Sequence, residues 1–148
     1  MPNGSIRTVR CGLPDGRLDR AEEALRKILT SELRHSDLVL APLLNDGHAD
    51  HDAAGAAARE VCNVVGATCR YFPIWAWQWH TPGSSEISTN GIRIDLSTTA
   101  QAAKAAALAC FPSQTSGNPP VLPEHFLQLF DESYEVIVSD EPTRVAAP

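Results

Sequence analysis

Leu38-Val39-Leu40-Ala41, opened by Asp37, is a continuous apolar run too short for a helix. It reads as a buried strand. It runs directly into the loop Pro42 to His51. Segments with helical spacing lie on either side. Ala21, Leu25, Ile28, Leu29 and Leu33 recur on one face, with Glu22, Glu23, Arg26 and Lys27 opposite. That pattern predicts an amphipathic helix over 20–33. After the loop, Ala53 to Val65 reads as an alanine-rich helix able to pack close to a sheet, with Gly66 at its C-terminal stop.

Further strands are predicted at Ile6–Cys11, before the turn Gly12–Gly16, and at Thr68–Phe72. Ile92–Leu96 alternates, and Tyr134–Val138 is the last apolar run. A polar loop is expected over Thr81–Asn90. Ser97 is a good N-cap for a helix over Thr98–Cys110. A Pro- and Ser-rich loop follows at Pro112–Pro123, then a short helix at Glu124–Phe130. Strands alternating with helices predict an α/β fold with a largely parallel sheet, the strands near 6–11, 37–41 and 68–72 being parallel neighbours. The 148 residues suit a single domain over 1–140, with a loose tail over 141–148.

Composition excludes several classes of function. The formal charge is -6, and the twelve basic residues are scattered, unlike the footprint of a nucleic-acid or anionic-lipid binder. No stretch approaches the roughly 20 apolar residues that cross a bilayer. The first residues, Met1 to Ser5, form no apolar core of a signal peptide. Cysteines 11, 62, 69 and 110 match neither a C-x-x-C knuckle nor a compact disulfide framework. They read as small, mostly buried side chains in a reducing compartment, which points to the cytoplasm.

The chemistry concentrates in Asp46-Gly47-His48-Ala49-Asp50-His51-Asp52, which holds two imidazoles and three carboxylates. Ligands of open α/β sheets bind beyond the carboxyl ends of the strands, where this loop falls. If a helix begins near Ala49, His48 and His51 share one face of its first turn. Imidazole is a standard zinc ligand, and Asp46 or Asp50 could fix a tautomer from behind. The same residues also suit a plain helix start, with an Asp cap and exposed histidines. Two histidines fall short of the three protein ligands typical of a catalytic zinc.

Elsewhere, Trp75, Trp77 and Trp79 would share one face of an extended segment, as a wall for a sugar ring or as packing. Ser113 and Gln114 could touch a substrate or close a turn. Ser113 has no partner base for serine-hydrolase chemistry. Asp15 sits in a Pro-Asp-Gly turn, where Asp is ordinary turn chemistry.

Leu13-Pro14-Asp15-Gly16, Leu38 to Pro42 and Asp46 to His51 resemble three successive landmarks of the PIG-L/LmbE-like N-deacetylases. Phe72-Pro73-Ile74-Trp75-Ala76-Trp77-Gln78-Trp79 resembles that family's aromatic "Y-P-V-W-L-W-H-W" stretch. Lys104 to Leu108 with Phe111-Pro112-Ser113-Gln114 resembles its late "K-x-x-A-L…S-Q" element. The order holds from about residue 10 to 138. The resemblance implies a Rossmann-like sheet and zinc-assisted hydrolysis of an acetamide on an N-acetylglucosaminyl or related amino sugar. It implies His51 as a zinc ligand, and His48 and Asp50 in catalytic positions. His48 would stabilise the oxyanion or protonate the leaving amine, with Asp50 acidic between the histidines. Asp15, Asp46, Trp77, Ser113 and Gln114 become candidates to line the substrate site.

Family members also carry an "H-P-D-D-E"-type motif after their first strand, supplying further zinc ligands and the general base. This sequence contains no such motif. His35, His80 and His125 lie outside every motif match. The expectation is therefore an incomplete fragment, lacking the family's first strand or strands. It would be completed by an N-terminal segment, or would associate with itself. The alternative is a non-catalytic α/β remnant that binds a sugar or a protein partner.

Overall fold

A computed structural model describes residues 5–79, 87 and 90–140. The chain divides into two compact units, Met1–Cys69 and Arg70–Pro148. The architecture is α/β, with a four-stranded mixed sheet in the order β1-β2-β4-β3 and flanking helices. The strands are β1 (Leu38–Pro42), β2 (Thr68–Phe72), β3 (Gly91–Asp95) and β4 (Tyr134–Val138).

In the first unit, a 3-10 turn at Leu18–Ala21 leads into α1 (Glu22–Glu32). Helix α2 (Ala49–Val65) follows β1. It ends at Gly66, whose φ of 77° is left-handed, and the Gly66 and Ala67 amides both donate to the Cys62 carbonyl. This is the glycine stop expected from the sequence. Helix α2 starts four residues before the expected Ala53, because Asp50 and Asp52 suit the first turn of a helix. Leu25, Ala41, Leu43, Ala53, Ala57, Ala58, Val61 and Cys62 form the unit's core. A Cβ on Gly55 would lie 2.5 Å from the Pro42 carbonyl oxygen, so α2 needs glycine there to sit against the end of β1. The Thr68 amide donates to the Asp37 carbonyl (2.9 Å), tying the start of β2 to the start of β1.

The second unit contains β3, β4 and the remainder of β2. Among the described residues its helices include α3 (Ala76–Trp79), α4 (Thr98–Ala109), α5 (Pro112–Thr115) and α6 (Glu124–Leu127). Ser97 caps α4 as expected, accepting from the Ala100 amide. Its centre is Phe126, fully buried, stacked on Trp75 at 5.3 Å and met edge-on by Phe130 at 5.1 Å. The buried Tyr71 hydroxyl donates to Asp140 (2.9 Å).

Several expectations are corrected. The sheet is mostly antiparallel, since β4 runs antiparallel to both β2 and β3, with Gly91 opposite Val138 and Asp95 opposite Tyr134. Strand-helix alternation holds in the first unit, but in the second β3 and β4 pair across a long excursion, and alternation alone does not set their direction. Ile6–Cys11 is not a strand. Ile6 is 96% exposed, and the segment is held by an Arg7–Glu32 ion pair rather than by a sheet neighbour. Nor is β1 a buried strand. It takes one edge of the sheet order, and Leu38 and Leu40 are exposed. The aromatic segment is not extended, because Ala76–Trp79 is a helical turn, so the two-residue alternation of Trp75 and Trp77 does not give a common face. Of the cysteines, 62 and 69 are buried and 11 and 110 are exposed. His80, most of the Thr81–Asn90 loop and the 141–148 tail lie outside the described residues.

Candidate functional site

The site is built where the chain leaves β1 and enters α2. Pro42 ends the strand, and Leu43, 2% exposed, anchors the connection. The chain then turns through Asn45 (φ 61°) and Gly47 (φ 90°). Left-handed backbone is natural for Gly and tolerated by Asn, and here it folds Asp46 back beneath the start of α2. The Asp46 side chain is completely buried. Its Oδ2 lies 2.6 Å from His51 Nδ1. The Asp46 amide donates to Asp52 Oδ1 (2.8 Å), which locks the turn onto the helix.

His48 is the N-cap of α2, and its Nδ1 accepts from the Asp50 amide at 3.2 Å. The His48 and His51 rings lie 4.6 Å apart, tilted by 34°. In their neutral forms the two imidazoles are set by these contacts as opposite tautomers. An ionised Asp46 carboxylate only accepts, so against it His51 Nδ1 carries a proton, and the neutral ring then presents its lone pair at Nε2. His48 Nδ1 accepts from a backbone N–H, so its proton sits on Nε2. Two adjacent rings thus present one acceptor and one donor.

Asp50 has a different task. Its two carboxylate oxygens accept from the Leu18 amide (2.9 Å) and the Gly16 amide (2.7 Å). The Leu18 bond first, and then the Gly16 bond, hold its carboxyl below the ordinary value of 3.8. Asp50 therefore clamps the Gly12–Leu18 loop to the helix start, which brings Asp15, next to Gly16, to the margin of the site.

Of the residues singled out from sequence, Asp46, His48, Asp50 and His51 come together here, with Asp15 in the clamped loop. Trp77, Ser113 and Gln114 belong to the second unit. Trp77 lies in α3, and Ser113 is exposed in α5. The Gln114 carbonyl accepts from the Leu122 amide (2.9 Å), which closes the Pro-rich loop. Sequence reasoning gave no role to Asp52 or to the Gly16 and Leu18 amides. Asp52 was legible as an acid in a first turn, but its bond back to Asp46 depends on the left-handed turn. Among the described residues, no group of three or more His, Cys, Asp or Glu is disposed to hold a metal ion.

Comparison with protein-family models, with curated proteins and with solved structures found no match.

Proposed function

We propose that this chain supplies part of the site for hydrolysis of an acetamide on an N-acetylglucosaminyl or related amino sugar, in the manner of the PIG-L/LmbE-like deacetylases it resembles. The observation that carries the reading is the pair of oppositely poised imidazoles at the start of α2, one backed by buried Asp46. His51 Nε2, oriented through Nδ1 by Asp46, is the natural ligand for zinc. His48 Nε2–H is the donor for the developing oxyanion or the leaving amine. Asp50 acts as a positioning residue that holds the neighbouring loop. Zinc, when bound, would polarise the carbonyl and acidify a water.

The described residues do not make a whole zinc site. They offer two imidazoles where about three protein ligands are usual. The missing groups would come from a complementing segment or a second copy of the chain. The edge position of β1, with Leu38 and Leu40 exposed, suits such an addition. The incomplete donor set equally favours a second reading, a non-catalytic α/β remnant that binds a sugar or a protein partner. Among the described residues, no helix is long and apolar enough to cross a membrane. The proposed location, the cytoplasm, rests on the cysteine spacing.

Calorimetric titration of the full chain with zinc tests the reading, alongside His51→Ala and His48→Ala. Weak binding that disappears in His51→Ala is expected, with little or no release of acetate from acetamido sugars by the chain alone. Tight binding indifferent to His51 would overturn the assignment of the site.

A further inference from the structure

The second unit contains a cleft of about 390 Å³ between α4 and the segment from α6 to Glu132. That volume lies within the range of small-molecule sites, roughly 300–1,000 Å³. Leu108, Leu127 and Phe130 give it apolar walls. Phe130 is held edge-on by the buried Phe126, so this wall is set by the unit's core. Helix α4 buries none of its own residues, which leaves the apolar wall it contributes open to solvent.

The charges around the cleft are one-sided. Lys104, the only cation lining it among the described residues, is ion-paired with Glu135 at 2.7 Å. Glu132 stands in the field of Arg93. Glu124 and Asp131 make no salt bridge among the described residues, and both line the cleft. An anion would meet three lining carboxylates and a lysine already compensated. An uncharged apolar molecule would leave those carboxylates unused. A cation on an apolar body satisfies both features.

We propose that this cleft binds a small amphipathic amine, its apolar body against Leu108, Leu127 and Phe130 and its ammonium toward Glu124 and Asp131. The site is separate from the histidine pair and does not depend on the function proposed for it.

The test uses the full chain and three probes of one shape: 4-phenylbutylamine, 4-phenylbutanol and 4-phenylbutanoate. Binding is followed by calorimetry and by amide shifts in a 15N spectrum. The amine is expected to bind saturably, with shifts confined to residues 101–109, Thr115 and 124–132, and more tightly than the alcohol; the carboxylate is not expected to bind. The double variant Glu124→Gln, Asp131→Asn should weaken the amine roughly five-fold, as expected for losing two exposed charge pairs, and leave the alcohol unchanged. Leu108→Trp should block both. Equal affinity for amine and alcohol, indifference to the double variant, shifts mapping elsewhere, or no saturable binding would each overturn the proposal. The charge variants lie on the surface, so the test stands even if Leu108→Trp fails to fold.

Discussion

Helices α2 and α4 are both rich in alanine, yet they are used in opposite ways. Helix α2 buries Ala53, Gly55, Ala57, Ala58, Val61 and Cys62, whereas α4 buries nothing. The difference lies in spacing and not in composition. In α2 the small residues recur about four apart and are joined by Val61 and Cys62, so one face fits closely against neighbouring elements. In α4 alanines surround the helix, and Leu108 is its only large apolar side chain. Alanine makes a helix without telling it which face to bury. The candidate site follows the same division. The start of α2 is held by Asp46, Asp50 and Asp52, while the start of α4 has the Ser97 cap and one Gln101 side-chain bond to the Leu96 carbonyl. A precise polar cluster thus stands on the helix that is anchored.

The largest effect that would break this comparison is expected at Gly55. Gly55→Ala pushes a methyl into the Pro42 backbone carbonyl and should cost about 2–3 kcal/mol. Urea denaturation measures it. A loss under about 0.5 kcal/mol would mean that α2 does not lie as close to β1 as described.

A somewhat smaller loss is expected at Asp46. Asp46→Ala leaves His51 Nδ1 without its acceptor in a partly buried place, at a cost of about 1–2 kcal/mol. A second readout separates orientation from stability. Imidazole 15N shifts should place the neutral proton of His51 on Nδ1 in the wild type and on a mixture of both nitrogens in the variant. An unchanged tautomer would show that Asp46 does not set it.

Asp50 sharpens the comparison through pH. Its folded-state carboxyl is held below 3.8, so folding is favoured while the group is ionised in both states. That contribution is complete above the unfolded value. It is lost as the pH falls from about 3.8 through the lowered value, when the folded carboxylate takes up its proton. Acid titration followed through the Gly16 and Leu18 amide shifts in a 15N spectrum should show the Gly12–Leu18 loop releasing in that window. Asp50→Asn should remove this step, and if the step survives, another carboxyl is responsible.

Much of this division was legible beforehand, for reasons that can be located. The amphipathic pattern of α1, the Gly66 stop and the Ser97 cap are local signals, and local signals travel with sequence. The cluster from Asp46 to Asp52 was legible as a site candidate because its residues are contiguous. The assignment of Asp46 rather than Asp50 to His51 was not, because it depends on the left-handed turn at Asn45 and Gly47. Strand direction was illegible for a related reason. The partner of Gly91 is Val138, and nothing near either residue names the other. Ile6–Cys11 has the pattern of a strand, but a strand exists only where a neighbour supplies its hydrogen bonds.

The smallest expected effect tests α4 itself. Ala103 is exposed there and lies outside the cleft. If the Ala103 face of the helix stands in solvent, Ala103→Gly should cost only the difference in helix propensity, about 1 kcal/mol, by raising backbone freedom in the unfolded chain. Ala103→Leu should then fall within about 0.5 kcal/mol of wild type, since there is room for the larger side chain and leucine is a good helix former. The same exchange at Ala57, which is 0% exposed in α2, should cost several-fold more through overpacking. Chemical denaturation of the three variants reads the contrast directly. A cost at Ala103→Leu approaching that at Ala57→Leu would mean that α4 is covered, and the contrast between the two helices would fail at its weaker member.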